Sequence, residues 1–386
     1  NTGDGEVYYN INWATLTNTF TTKTDMVYSV TSNNSGSTLS ETQLPNSGDH
    51  VSIISNATIA TGVTQTYTLH FRFLSRNENQ NENQGKSISG KIEVLDVNAS
   101  TSSEPTLADM LKTNNPPTTY TTYPGRAVST TDEGLISGPN DDYGDKTYYF
   151  RGTAPDNYVS FAGLTWRVVR INGDSSVRLV LDTTTGTDSV WNTNYSSTTW
   201  ATAITYATYG NSTIKGNVET WYNTNIGNNT NYSSKVVPTK FCNDRTYTTG
   251  TDYYYFGVRN RLYPVASASP SFICPTNTGE GNDIYNLNVG LLTGDEVAFA
   301  GGIYNTSNSS YYLYKSGVSR WTMSPNSWLV SSAIVYAMYV SSAGDLYNYN
   351  LNASNGVFPV ISLSAETLAT VNAENPGTSA NPYVVQ

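Results

Sequence analysis

Apolar and polar residues alternate strictly in the opening stretch of the chain. Val7, Tyr9, Ile11 and Trp13 alternate with Tyr8, Asn10, Asn12 and Ala14. This period of two predicts a strand with one strongly apolar face. Met26 to Thr31 and His50 to Ile54 predict two more strands. In Gln65 to Leu74, Tyr67, Leu69, Phe71 and Phe73 fall on one face. Asn77 to Gln84 has no apolar residue and reads as a loop, after which Gly85 to Val94 returns as a strand carrying Ile88, Ile92 and Val94. The count and spacing of strands predict an antiparallel β-sandwich over residues 1–97.

Residues 98–118 read as a linker with a short helix. Asn98 to Pro105 is rich in Ser, Thr and Asn. Leu107, Met110 and Leu111 then follow at helical spacing, and Asn114-Asn115-Pro116-Pro117 ends the helix. Residues 119–386 form a larger β-rich domain of α+β character. Leu164 to Asn172 and Ser176 to Asp182 flank the turn Asn172-Gly173-Asp174 and predict a hairpin. Ile214, Val218 and Trp221 make one stripe of an amphipathic helix. Thr293 and Glu296 fit a capping box. The fold class expected is mainly β.

Composition sharpens this picture. Only 13% of residues are charged, whereas 54 are Thr, 43 Asn, 43 Ser and 30 Tyr. The polarity therefore comes from amides and hydroxyls, a balance that suits strands and turns rather than long helices. Lys and Arg number 20 against 30 Asp and Glu, a net charge of −10 that disfavours a nucleic-acid partner. The ten Asn-x-Ser/Thr sequons are close to the number this composition supplies by chance.

The chain begins at Asn1 without Met or an apolar leader. It reads as an exported protein of a bacterial cell surface, secreted to the extracellular side and tied to a membrane only through a removed leader. Cys242 and Cys274 most simply form one disulfide in that setting.

Part of the second region resembles known exported proteins. The ordered series Asp132-Glu133-Gly134, Asp141-Asp142-Tyr143-Gly144, Tyr148-Tyr149-Phe150-Arg151-Gly152 and Trp166-Arg167-Val168-Val169-Arg170-Ile171-Asn172-Gly173-Asp174 resembles a domain of unassigned function. That domain occurs in exported, pilin-like surface proteins of Gram-positive gut bacteria. Trp321, Ser324-Pro325, Gly344-Asp345 and Gly356-Val357 with Pro359 to Leu363 are similar to the closing part of C-type-lectin-like and formylglycine-enzyme-like folds. Related domains often have Arg before that Pro, where this chain has Phe358. In the first region, Tyr67-Thr68-Leu69, Phe71 and Gln84-Gly85-Lys86-Ser87-Ile88-Ser89-Gly90-Lys91-Ile92 resemble TasA/camelysin-type fibre subunits. That resemblance implies a sheet completed by a terminal strand from a neighbour.

Candidate chemistry is sparse. Asn140, Asp141, Asp142 and Asp145 are oxygen donors that could take Ca²⁺, although the twelve-residue calcium-loop pattern is absent and a solvated turn accounts for them too. No other cofactor is called for. Asp295 and Glu296 could pair for glycoside hydrolysis, but a helix cap explains Glu296 better. No phosphate loop, metal-spaced His set or nucleophile elbow occurs, so a non-enzyme is expected. Dense tyrosines serve cores and ligand faces alike. Tyr311, Tyr312, Tyr314, Trp321 and Trp328 are the candidates for binding host or bacterial glycans. Val7, Tyr9, Ile11 and Trp13 are the candidates for a donated assembly strand, with an ordinary first strand as the alternative.

Together these features lead to a structural subunit of an extracellular filament, pilus-like or biofilm-matrix-like. It would be assembled from copies of itself by N-terminal strand addition. The alternative is a monomeric or anchored surface adhesin that binds carbohydrate.

Overall fold

A computed structural model describes residues 1, 6–96, 105–119, 132–275, 283–371 and 376–385. The protein is mainly β and divides into two compact units, residues 1–103 and 104–386.

The first unit contains β1 (Val7–Asn18), β2 (Met26–Ser32), β3 (Leu39–Gln43), β4 (Gly48–Ile59), β5 (Tyr67–Phe73) and β6 (Ile88–Asp96). They form two three-stranded antiparallel sheets, ordered β4–β1–β6 and β3–β2–β5. The period-two face of β1 supplies Tyr9, Ile11 and Trp13 to a core shared with Tyr28, Val30, Leu44 and Ile53. A register shift after Trp13 brings Leu16 into that core as well. Gly90 is required beside it, because a Cβ there would sit 2.5 Å from the Thr15 carbonyl oxygen and 3.0 Å from the Trp13 ring.

The second unit opens with α1 (Leu107–Asn114), capped by the Thr106 hydroxyl accepting from the Asp109 amide. Leu107, Ala108 and Leu111 are buried in the core of this unit. The helix expected to bridge domains is therefore part of the second one. A sheet follows from β7 (Gly134–Asn140), β8 (Lys146–Arg151), β9 (Tyr158–Phe161), β10 (Leu164–Ile171) and β11 (Val177–Leu181). The hairpin read around Asn172-Gly173-Asp174 is β10–β11.

The helical stretch read around residue 214 is α2 (Thr213–Tyr222), whose Ile214 and Val218 are buried while Trp221 packs against the core from its rim. A second sheet holds β12 (Tyr253–Phe256), β13 (Arg320–Leu329), β14 (Ile334–Val340) and β15 (Leu346–Asn350). Between these strands in sequence lie α3 (Gly257–Leu262) and α4 (Gly294–Ala300). The last strands, β16 (Val360–Leu363) and β17 (Tyr383–Val385), return to the first sheet beside β11 and β9.

Candidate assembly surface

Each sheet of the first unit has two edge strands among the described residues, β4 and β6 in one and β3 and β5 in the other. β5 pairs only with β2, and β6 only with β1, among the described residues. Directly opposed residues of an antiparallel pair project to one face. Phe71 opposes buried Tyr28, so Phe71 and Phe73 lie on the core face of their sheet. Ile92 opposes Trp13 and Val94 opposes Ile11, placing them on the core face of the other sheet. Yet Phe71 is 45% exposed, Phe73 44%, Ile92 44% and Val94 63%.

These are core-type side chains left partly open to solvent, Phe71 being flanked by the Trp13 ring at 6.1 Å and Phe73 by the Phe20 ring at 6.2 Å between centroids. There is also an open apolar cleft of about 340 Å³, lined by Val7, Tyr9, Ile11, Ile59, Tyr67 and Val94. At its floor the Tyr9 and Tyr67 hydroxyls lie 2.6 Å apart, and burial pushes the Tyr9 phenol well above its usual range.

β1 occupies the inner slot of this unit, hydrogen-bonded to β4 on one side and β6 on the other. Within one chain Val7, Tyr9, Ile11 and Trp13 thus belong to an ordinary central strand, and both backbone edges are used. Among the described residues the unpaired edges fall on β3, β4, β5 and β6, and those of β5 and β6 carry the exposed core-face residues. Sequence reasoning named Phe71, Phe73, Ile92 and Val94 as strand residues but could not place them at an edge, because strand order depends on long-range pairing.

The tyrosine and tryptophan candidates of the second unit are placed differently from the expectation. Tyr311, Tyr312, Trp321 and Trp328 are buried in the core, and Tyr314 packs against it half-buried. Trp321 donates through Nε1 to the Ser189 carbonyl at 2.8 Å, and Trp328 to that of Ser197 at 3.0 Å. Tyr311 donates to the Gly344 carbonyl at 2.8 Å. These side chains fill the interior and are not available to a glycan. The exposed aromatics of that sheet are Tyr347 and Tyr349, the latter stacked on Tyr339 with ring centroids 5.1 Å apart.

The oxygen donors at 140–145 do not converge either. Asp141 accepts from Arg170 at 3.1 Å and from the Gly173 amide at 3.0 Å. Asp142 accepts from the Cys274 amide at 2.9 Å, and Asn140 donates to the Gly144 carbonyl at 2.8 Å. Asp145 contributes its backbone carbonyl, which accepts from the Asp141 amide at 3.2 Å. Among the described residues, no three His, Cys, Asp or Glu side chains gather as a metal would require.

A buried ionic network lies beside these residues. Arg178 Nε sits 2.6 Å and Arg170 Nε 3.3 Å from Glu296 Oε1, while Arg261 bridges Asp244 at 2.6 Å and Asp295 at 2.7 Å. Burial pulls the Arg178 guanidinium down to about 10 and raises the Asp295 and Asp142 carboxyls. The expected disulfide is formed: Cys242 and Cys274, with Cα atoms 5.6 Å apart, line a cavity of about 20 Å³ in this network. That volume suits one water molecule. Asp295 and Glu296 are thus both held by arginines, and Glu296 also closes the capping box of α4.

No protein-family model matches the chain, and no curated protein or solved structure does.

Proposed function

We propose that this protein is a structural subunit of an extracellular filament and that copies associate through strand addition in the first unit. The observation that carries the reading is the partly open surface of Phe71, Phe73, Ile92 and Val94 on the free edge strands β5 and β6. A free edge with apolar side chains is a template for another strand, and soluble proteins ordinarily block it. The fitting occupant is a second copy. Its β5 edge presents phenylalanines where β6 presents Ile92 and Val94, so edge-to-edge pairing covers both sets at once. Such a contact joins two different surfaces and does not close, which generates a fibre. Few residues are charged, 13% of the chain, although the net charge of −10 acts as a modest brake on association. Exchange of β1 between copies is a second route to the same assembly, because a neighbour's strand can take the slot between β4 and β6.

Negative-stain microscopy and light scattering of the full chain over a range of concentrations test the reading. Filaments or concentration-dependent oligomers are expected, lost in the double variant Ile92→Lys/Val94→Lys. Monodisperse monomers at every concentration would overturn it. Deleting residues 1–14 separates the routes: surviving fibres rule out strand exchange.

A second reading is a surface adhesin that binds carbohydrate. It is favoured by Tyr347, Tyr349 and Tyr339 on one sheet face, where aromatic rings suit a sugar. Glycan-array binding by the monomer, lost in Tyr349→Ala, supports this reading.

A further inference from the structure

An open pocket of about 300 Å³ lies against α2, lined among others by Thr185, Asp188, Asn217, Thr220 and Trp221. That volume is at the lower end for small-molecule sites. Asn217 and Trp221 stand one helical turn apart, so their Cβ atoms are about 5–6 Å apart on one face. Trp221 is half-buried and packs edge to face on buried Trp166, with ring centroids 6.1 Å apart. Asn217 donates through Nδ2 to the Ser189 hydroxyl at 2.8 Å, which ties the helix to the residue after Asp188. Ser189 pairs with Asn355, and its carbonyl accepts from buried Trp321. The Thr185 amide donates to the Val357 carbonyl at 3.0 Å. Both walls of the pocket are therefore anchored in the core.

Several polar groups of this lining are unspent. Asp188 is exposed, and its carboxylate has no hydrogen bond or ion pair among the described residues. It is the one charged residue of the lining. The nearby charges of α2, Lys215 and Glu219, pair with each other at 2.5 Å. Asn217 Oδ1, an acceptor, and Trp221 Nε1, a donor, also lack a partner among the described residues. The Thr220 hydroxyl donates to the Gly216 carbonyl at 2.8 Å and keeps its lone pairs. The pocket thus combines free acceptors, a free donor and one aromatic face. A sugar hydroxyl both donates and accepts, and the C–H face of a pyranose ring suits an indole. An anionic ligand would meet Asp188, and an ammonium group would leave the indole N–H unmatched. A second pocket at α2, of about 340 Å³, lacks this combination: its Glu219 is paired and its aromatic residue, Tyr222, is buried.

We propose that Asp188, Asn217 and Trp221 form a binding site for one neutral hexose residue of a glycan. The indole stacks on the sugar ring, while Asp188 and Asn217 accept from adjacent hydroxyls. The site shares its ligand class with the carbohydrate reading above but none of its residues, so it stands or falls apart from Tyr339, Tyr347 and Tyr349.

Ligand-observed NMR of the full chain with the methyl glycosides of glucose, galactose and mannose tests this. Binding of at least one is expected, with a Kd in the millimolar range, as for a single sugar ring. The methyl glycosides of glucosamine and glucuronic acid should bind more weakly. No binding of any neutral glycoside overturns the proposal, and so does a preference for either charged sugar. Asp188 has no partner to lose, so Asp188→Ala should keep the thermal midpoint while weakening binding about tenfold. Unchanged affinity in that variant overturns the site. Tyr349→Ala separates it from the other carbohydrate reading: binding lost there but kept in Asp188→Ala leaves that reading standing and removes this one.

Discussion

Arg178 Nε lies 2.6 Å from Glu296 Oε1, and both side chains are almost completely withdrawn from solvent. The other oxygen of the same carboxylate, Oε2, accepts from the Thr293 amide at 2.9 Å and closes the cap of α4. One residue thus joins a helix start to the arginines of β10 and β11. The two contributions can be separated. Glu296→Gln keeps a side chain able to cap but removes the charge facing Arg178 and Arg170. A loss of about 3–5 kcal/mol is expected in chemical denaturation, because buried cations are left unpaired. Glu296→Ala should cost about 1 kcal/mol more through the lost cap.

Asp142 gives a pH-dependent test. Burial raises its carboxyl above the usual value, so the folded state binds its proton more tightly than the unfolded state. The stability this group contributes is complete below the unfolded value and lost as pH rises through the raised folded value. Asp142→Asn should therefore compare more favourably with the native protein at pH 7 than at pH 4. A stability difference that does not change between those two pH values contradicts the assignment.

The disulfide spans 32 residues of sequence. In the chain-entropy account, closing a loop of that length stabilises by about 3–4 kcal/mol. The double variant Cys242→Ser/Cys274→Ser should lose an amount of that order. A reductant should lower the melting temperature of the native protein and leave the variant unchanged.

Gly90 is a packing test of the first unit. The Cβ of Gly90→Ala meets the Thr15 carbonyl oxygen and the Trp13 ring, so β6 must move away from β1. The expected cost is about 1–3 kcal/mol, read as earlier unfolding by Trp13 fluorescence. Ile92→Lys should cost far less, because that side chain is already 44% exposed.

Local signals were readable wherever a short stretch decides its own structure. The alternation of Val7 to Trp13 became β1, and Thr293 with Glu296 made the capping box. The turn at Asn172-Gly173-Asp174 joined its hairpin, and Leu107 with Leu111 gave the buried face of α1. What depends on distant pairing was not readable. Nothing in the row Tyr67, Leu69, Phe71, Phe73 says that β5 lies at an edge. Dense tyrosine also carries no label for inside or outside. Tyr311 and Tyr312 are packed among apolar neighbours, whereas Tyr349 stands on an exposed sheet face. The arginines show the same limit: Arg178 and Arg320 look alike in sequence, but only the fold gives Arg178 a carboxylate.

The first and last segments of the second unit are fastened to each other. The Leu107 amide donates to the Thr367 carbonyl at 2.8 Å, Asn115 donates to the Tyr383 hydroxyl at 3.4 Å, and β17 runs parallel beside β9. A unit whose entry and exit meet in this way is a cassette. It can be spliced into a surface loop of another protein without unravelling its interior.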